Sequence, residues 1–354
     1  MNQKGGVGKT TSTANIAAAL ATFGKRVVVI DMDPQAHLTI HMGLEPELLK
    51  GGTYNVLIQD SRFEDDVMLV RPNLWILPAN IHLVGAESEL VSVVGREIIL
   101  REALEGIQDQ FDYCLIDCAP SLGLLTLNAL AAAQEVLIPL QPHFLALQGF
   151  GKLLQTVELV NKRINPSLKV TGILLCMFDT RASLPNEVKS DIEQFLENAR
   201  DTGSAWSQAR IVPTFIRRNI KLAEAPSYGR TIFEYEPNCN GAADYLAVAR
   251  FMENPDGPPA TVEAETDTEV LDSTPIAHEE APIPIEGIPP ASALPVVEDP
   301  SSVPAPISDD PEAATKSPPE TTDPTVEIKP PHIQEITTPQ FTPYGNPFSN
   351  TSSE

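Results

Sequence analysis

The feature that most constrains the fold is a glycine-rich loop followed directly by a helical sequence. Three glycines within four positions of this loop allow positive φ angles and a close approach to an anion. The N-terminus of the following helix, near residues 10–23, favours phosphate. The loop reads Lys4-Gly5-Gly6-Val7-Gly8-Lys9-Thr10-Thr11. Its second half matches the pattern G-x-x-x-x-G-K-[ST], so we expect residues 4–11 to bind the phosphates of a nucleotide.

The loop departs from that pattern at two positions. Gln3 stands where the first glycine is expected, and Lys4 adds a second lysine. A chance glycine turn before a helix is the alternative interpretation, but the string of specified residues is too long to favour it. We therefore interpret the segment as a variant phosphate-binding loop.

Short apolar runs alternate with longer amphipathic segments through residues 1–252, a pattern typical of buried parallel strands and crossover helices. Predicted strands lie near residues 26–31, 67–70, 74–77, 112–117, 135–140, 169–176 and 210–213. Further predicted helices lie near residues 96–109, 122–132, 147–163, 185–199, 217–224 and 240–252. We expect an α/β P-loop NTPase domain with a mostly parallel central sheet and helices on both faces.

Composition divides the chain after residue 252. Residues 253–354 hold 21 of the 33 prolines, 20 acidic residues and two basic residues, Lys316 and Lys329. Such a segment cannot bury enough apolar surface to offset the entropy lost on ordering. We therefore expect a domain at 1–252 and a long, acidic, Pro-rich disordered tail at 253–354. The tail carries −18 of the net charge of −24. A local basic patch on the domain therefore remains compatible with the net negative charge of the whole chain.

The cysteines and the hydropathy favour a cytoplasmic protein. Cys114 and Cys118 lie about 13 Å apart along a predicted strand, too far for a disulfide. With no C-x-x-C spacing, we expect all four cysteines to be buried apolar thiols. No apolar run approaches the ~20 residues of a membrane span, and no signal peptide precedes the loop.

Three aspartates follow predicted strands, where open α/β sheets gather their ligands. Asp31 and Asp33 lie two residues apart along one extended segment and need not share a role. Asp117 ends another strand. A helix N-cap is the alternative role for any one of them, but together with the loop they indicate Mg²⁺ and water chemistry. We expect Thr10 to ligate Mg²⁺ through its hydroxyl and Asp117 to hold the ion indirectly.

The loop resembles the deviant Walker A motif of the ParA/MinD family of ATPases. Four further segments resemble ParA members of that family in particular, and the likeness covers roughly residues 2–252. The segments are 27–35 with Asp31-Met32-Asp33-Pro34-Gln35, 111–123 with its strand ending in Asp117, 136–142, and 218–229.

The resemblance implies ATP and Mg²⁺ as cofactors and assigns roles to single residues. Lys9 serves the ATP of its own subunit, whereas Lys4 crosses to the partner's phosphates in an ATP-sandwich homodimer. Asp33 orients the attacking water, and Asp31 supports the Mg²⁺ shell. A solvated loop lysine is the alternative role for Lys4. The expected nucleotide-binding residues are Lys4, Gly5, Gly6, Val7, Gly8, Lys9, Thr10 and Thr11.

By the same resemblance, Arg181 and Lys221 match residues that contact DNA without sequence preference. Together with Arg218 they form the predicted DNA-binding set, which would neutralise several phosphates and bind in a salt-sensitive way. For each residue taken alone, solvated surface charge is the alternative. Three more arginines are expected to join this patch, namely Arg210, Arg217 and Arg230.

The implied function is chromosome or plasmid partitioning. The ATP-bound dimer would coat the nucleoid through non-specific DNA binding, and a ParB-type centromere-binding partner would release it by stimulating hydrolysis. A ParA-like ATPase that positions another cargo stays open as an alternative. A MinD-like membrane ATPase is less favoured, because helix 242–252 has a single arginine and leads into an acidic tail.

Two features depart from the family pattern. Family members place a buried strand before the asparagine, and here only Met1 precedes Asn2. We therefore expect the first strand of the sheet to be missing from this chain and the native start to lie upstream. The segment 198–210 is longer than the family's usual connection, and we expect it to border either the DNA face or the dimer interface.

Overall fold

The computed structural model of the protein describes residues 5–257, without the side chains of residues 144–148. Lys4 and most of the predicted tail lie outside the described residues. The strands are β1 Val27–Met32, β2 Met68–Arg71, β3 Leu74–Leu77, β4 Tyr113–Cys118, β5 Glu135–Leu140, β6 Lys169–Phe178, β7 Arg210–Ile211 and β8 Ile216–Arg217. The helices are α1 Lys9–Thr22, α2 His37–His41, α3 Thr53–Ile58, α4 Phe63–Asp66, α5 Leu83–Leu90, α6 Ile99–Leu104, α7 Leu124–Ala132, α8 Phe144–Arg163, α9 Ser183–Ala199, α10 Ile220–Glu224, α11 Ile232–Tyr235 and α12 Asn240–Glu253.

The strands form two sheets that are parallel except at one edge. The first sheet has the order β2-β3-β1-β4, and β2 alone runs antiparallel. In the second sheet β5, β7 and β8 all pair in parallel with β6. Every residue of β1 is buried, as its unbroken apolar run predicts for a strand covered on both faces. The predicted mostly parallel sheet with flanking helices is confirmed.

Two helices hold the sheets side by side. On one face, the alanine-rich helix α1 packs in one cluster with Val27 and Val29 of β1 and with Leu174 and Cys176 of β6. On the other face, α7 contributes to the clusters of both sheets. Within residues 5–257, β4 pairs only with β1 and β5 only with β6. The missing first strand stays a prediction.

The predicted elements differ from the observed ones where helices are short. Between β1 and β4 the structure adds α2 to α5, whose four to eight residues are too few to show a helical period. The helix predicted at 96–109 is α6 followed by a 3₁₀ turn at 108–110. The helix predicted at 217–224 starts later, because Asn219 accepts a hydrogen bond from Lys221 N at 2.9 Å and caps α10.

The cysteines are unpaired in the described region, but they are not all buried. Cys118 and Cys176 are buried as expected, whereas Cys239 is half-buried. Cys114 is exposed, so the expectation of a buried thiol is wrong there. Cys114 lies on β4, whose second edge has no strand partner among residues 5–257.

Two arginines of the predicted DNA patch have intramolecular partners. Arg217 Nη2 lies 2.6 Å from Asp244 Oδ1, and Arg217 N donates to Asp244 Oδ2 at 3.0 Å. Arg210 donates to Pro255 O at 3.0 Å and to Asp256 Oδ1 at 3.1 Å. These contacts fasten α12 and the residues after it to the second sheet. We therefore leave both arginines out of the DNA surface proposed below.

The pair between Arg217 and Asp244 gives a stability prediction. The Asp244 side chain is 3% exposed, so Asp244→Asn leaves the arginine without its buried counter-charge. We expect this variant to lose about 3 kcal/mol of unfolding free energy, measured by urea unfolding with circular dichroism. Asp65→Asn is the control, since it breaks the exposed pair with Arg62 and should barely move the midpoint. Equal midpoints for the two variants would contradict a structural role for Asp244.

Candidate functional site

The glycine-rich loop leads into α1 through two glycines in left-handed conformations. Gly6 has a φ of 73° and Gly8 a φ of 91°, values that side chains strongly disfavour. Gly8 caps the helix, and its carbonyl accepts from Ser12 N at 2.8 Å. The N–H groups in the first turn of this 14-residue helix face the loop, an arrangement that attracts phosphate.

A hydrogen bond joins the first turn of α1 to the end of β4. Thr10 Oγ1 donates to Asp117 Oδ2 at 2.6 Å. Burial raises the pKa of Asp117 to about 6, although this hydrogen bond and the nearby Lys9 act in the opposite direction. The Thr10 hydroxyl is thus held in place beside a carboxylate. Oxygen ligands of this kind are the ones that Mg²⁺ prefers, so the residues present fit that ion.

Lys9 lies beside two of the predicted aspartates. The residue is 9% exposed, and this burial lowers its pKa, whereas the charges of Asp117 and Asp33 raise it. The structure therefore brings together four of the predicted site residues, which are Lys9, Thr10, Asp33 and Asp117. A phosphate near Lys9 would stabilise the charged form of the lysine in the same way as the carboxylates do.

Asp31 is placed differently from what a role at the metal suggests. It neighbours Asp117 in the register of β1 and β4, but its Oδ2 accepts from Thr39 N at 2.9 Å and from Thr39 Oγ1 at 2.7 Å. Thr39 Oγ1 in turn accepts from Ala79 N at 2.9 Å. Burial, with the nearby Asp117 charge, raises the pKa of Asp31 to about 7. Asp31 thus fastens α2 and the end of β3 to β1, and Thr39 is a site neighbour that the sequence analysis missed.

Asp33 lies at the turn that follows β1. Its Oδ1 accepts from Gln35 N at 2.9 Å, and the residue is 7% exposed. Ala36 then takes a φ of 53°, a left-handed conformation that costs an alanine about 1 kcal/mol. Backbone strain of this kind concentrates at functional sites, and here it lies three residues from the carboxylate expected to orient water.

Helix α2 ends against residues 229–234. Arg71 bridges the two, donating to Met42 O at 3.3 Å, to Gly229 O at 3.0 Å and to Glu234 Oε2 at 2.8 Å. His41 is buried beneath this bridge, and its Nε2 has no hydrogen-bond partner among the described residues. The segment that carries Asp33 is therefore anchored at its far end as well.

The predicted DNA-binding residues come to one edge of the second sheet. Arg181 follows the C-terminal end of β6, and Arg218 follows the end of β8, which pairs in parallel with β6. Both are exposed. Lys221 lies on α10, with its Nζ 3.0 Å from Glu224 Oε2. The C-terminal ends of β1 and β4 carry the nucleotide-site residues, and helix α1 packs across both sheets.

The long segment 198–210 lies at the other end of β6. Val170 N donates to Ala205 O at 2.8 Å, and Ala205 N donates to Glu158 Oε2 at 2.8 Å. Val170 is roughly 26 Å along β6 from Phe178, the strand end near Arg181. The segment therefore lies away from Arg181, whereas its alternative place at the dimer interface stays a prediction.

Comparisons with known proteins show which proteins the chain resembles. The family model described as AAA domain matches residues 1–170. The chain is 42% identical over 250 residues to the sporulation initiation inhibitor protein Soj of Bacillus subtilis, which covers 70% of this chain and 94% of that protein. It is 41% identical to the chromosome partitioning protein ParA of Myxococcus xanthus, covering 73% and 87%.

A solved structure shares the fold over the same part of the chain. It is described as cobyrinic acid a,c-diamide synthase of Mycobacterium smegmatis with bound ADP and magnesium. The two superpose with a TM-score of 0.60 at 35% identity, covering 73% of this chain and 96% of that one.

Separately, no helix in the described part of the chain is long and apolar enough to cross a membrane.

The buried His41 gives a prediction about pH. Burial and the Arg71 charge lower the pKa of His41 to about 4, against the weaker opposing effects of the Arg230 backbone and Glu234. As the pH falls below the ordinary histidine pKa of 6.5, His41 takes up a proton in the unfolded chain but stays neutral in the folded chain. The free energy of unfolding therefore falls as the pH drops from 6.5 towards 4. The full loss is about 3 kcal/mol.

Urea unfolding at pH 7 and pH 5 measures the part of this loss that falls between pH 6.5 and pH 5, about 2 kcal/mol. We expect His41→Leu to reduce the difference between the two pH values, because the leucine cannot take up a proton. The exposed His37 supplies the control, and His37→Gln should keep the full difference. A His41→Leu variant with the pH dependence of the unsubstituted protein would refute the assignment.

Proposed function

Since this chain belongs to the ParA family of the ParA/MinD ATPases, we propose that it hydrolyses ATP with Mg²⁺ to partition a chromosome or plasmid. The observation that carries the proposal is the 2.6 Å hydrogen bond between Thr10 and Asp117 beside the glycine-rich loop. Beside this bond lie the buried Lys9 and the Asp33 carboxylate. The bound ADP and magnesium of the M. smegmatis relative support the same ligands here.

Each residue of the site has a part in the proposed reaction. The N–H groups of residues 5–11 and the Lys9 ammonium bind the phosphates. Asp117 fixes the Thr10 hydroxyl, which would ligate Mg²⁺. The ion, when bound, neutralises charge on the phosphate oxygens.

The carboxylates after β1 divide the remaining tasks. Asp33 orients the attacking water, and Lys9 stabilises the charge that develops as the phosphate leaves. Asp31 holds α2 in position through Thr39 and so maintains the loop that carries Asp33.

We propose that ATP is bound between two copies of the chain. Lys4 would reach the partner's phosphates, which adds a cation at the transferred group and makes dimerisation depend on ATP. The dimer would bind DNA non-specifically through Arg181, Arg218 and Lys221. A ParB-type partner would stimulate hydrolysis and release the protein from the nucleoid.

Asp33→Ala tests the chemistry. We expect this variant to bind ATP and remain on DNA as a dimer, with hydrolysis slowed about 100-fold or more, because the water loses its orienting base. Phosphate release and ATP-dependent DNA co-sedimentation measure the two properties. Lys9→Ala is the contrasting variant, expected to lose nucleotide binding altogether. Hydrolysis by Asp33→Ala at the unsubstituted rate would disprove the role.

Arg181→Glu combined with Lys221→Glu tests the DNA surface. The double variant should dimerise with ATP but lose DNA affinity, and the dependence of log affinity on log salt should flatten by about two. Fluorescence anisotropy of labelled duplex DNA across a salt series measures both quantities. Arg62→Glu with Lys162→Glu reverses two exposed charges elsewhere and should change neither. Retained affinity in the first pair would remove this surface from the proposal.

A further inference from the structure

An exposed aromatic ring lies within the predicted DNA surface. Residues 217–230 hold four basic side chains and one acidic side chain, and Tyr228 in this segment is 63% exposed. Arg230 follows two residues later and is exposed as well, so the two Cα atoms are at most ~7 Å apart. A single exposed apolar side chain is ordinary on a protein surface. The surroundings of Tyr228 therefore decide whether its ring has a ligand.

The ring of Tyr228 is stacked on a second tyrosine. Its centroid lies 5.1 Å from that of Tyr235, with 27° between the two planes. Tyr235 donates to Glu224 Oε2 at 2.9 Å, which fixes the orientation of the lower ring. Lys221 Nζ lies 5.7 Å from the centre of the Tyr235 ring. Tyr235 therefore covers one face of Tyr228 and places the open ring next to a predicted phosphate contact.

The backbone that carries Tyr228 is held in place. Tyr228 ends a 3₁₀ helix at 225–228, and Gly229 follows with a φ of 61°. Gly229 O accepts from Arg71 Nη2 at 3.0 Å. A Cβ atom on Gly229 would lie 2.7 Å from Gly43 Cα, so the two backbones are packed directly together. A ring positioned in this way loses little conformational entropy when a ligand binds to it.

The carboxylates of this segment leave room for a polyanion. Glu224 Oε2 lies 3.0 Å from Lys221 Nζ, and Glu234 Oε2 lies 2.8 Å from Arg71 Nε. Glu236 is half-buried. Because two of these three carboxylates have a cation beside them, they repel a phosphate less than isolated charges would. The segment also carries three arginines, Arg217, Arg218 and Arg230.

A ring beside cations suits a single strand better than a duplex. Bases in a duplex cover each other's faces, whereas an unpaired base offers its face to an aromatic side chain whatever its identity. We propose that Tyr228 stacks on an unpaired base of single-stranded DNA, while Lys221 and the exposed arginines contact the phosphates of the same strand. This inference rests on the DNA binding of the proposed function and extends it from duplex to single-stranded DNA.

Three labelled probes of equal length test the stacking in the full chain with ATP and Mg²⁺. They are a duplex, an oligothymidylate, and an abasic strand that has the same phosphates but no bases. By fluorescence anisotropy we expect the unsubstituted chain to bind the oligothymidylate about 10-fold more tightly than the abasic strand. This comparison needs no substitution, so it tests the proposal even if a variant folds poorly.

Substitutions at Tyr228 then assign the preference to the ring. Tyr228→Leu should bind the two single strands equally, at the affinity of the abasic strand, whereas Tyr228→Phe should keep the preference because the ring remains. Both variants should keep duplex affinity. The slope of log affinity against log salt should also stay unchanged, since it reports phosphate contacts.

Phe195→Leu is the matched control. It removes a ring that is 43% exposed and lies about 18 Å along α9 from Ser183, the first residue of that helix after Arg181. A leucine there keeps an apolar contact with Phe150, whose ring centroid is 5.9 Å away. This variant should bind all three probes like the unsubstituted chain.

The possible failures can be told apart. Equal affinity of the unsubstituted chain for the two single strands, with duplex binding intact, would overturn the stacking and leave the proposed function standing. A preference for the oligothymidylate that survives Tyr228→Leu, or disappears in Phe195→Leu, would also overturn it. If none of the three probes binds in the presence of ATP, the DNA binding of the proposed function fails together with this inference.

Discussion

The hydrogen bond between Thr10 and Asp117 is the interaction on which the candidate site depends. It is short, at 2.6 Å, and a charged acceptor makes such a bond roughly twice as strong as a neutral one. It can form only because α1 lies close against the strands. The alanines of α1 allow this approach, since they are almost completely buried without adding bulk. The composition of one helix thus sets the position of the hydroxyl at its first turn.

Contacts continue from this helix to the predicted DNA surface. Asn15 of α1 is fully buried, and its Oδ1 accepts from Ile232 N at 2.8 Å. Ile232 starts α11, whose Tyr235 donates to Glu224 at 2.9 Å, the same carboxylate that pairs with Lys221. Arg71 gives a second connection, from α2 to Gly229 and Glu234. Both sides of the nucleotide site are therefore in physical contact with the segment that carries Lys221. Such contacts transmit a signal only where they have two alternative arrangements.

The sequence predicts the parts of this structure that depend on local pattern. Apolar runs locate β1 and β3 to β6, and the spacing of glycines and Lys9 locates the phosphate loop. Neither Thr39 nor Arg71 could be found in this way. Arg71 bonds Glu234 across 163 residues of sequence, and no periodicity connects two positions so far apart. Arg217 shows the same limit. As a basic residue beside Arg218 it suggests DNA binding from the sequence, but in the structure it pairs with the buried Asp244. Side-chain chemistry predicts what a residue can do, whereas packing decides which partner it has.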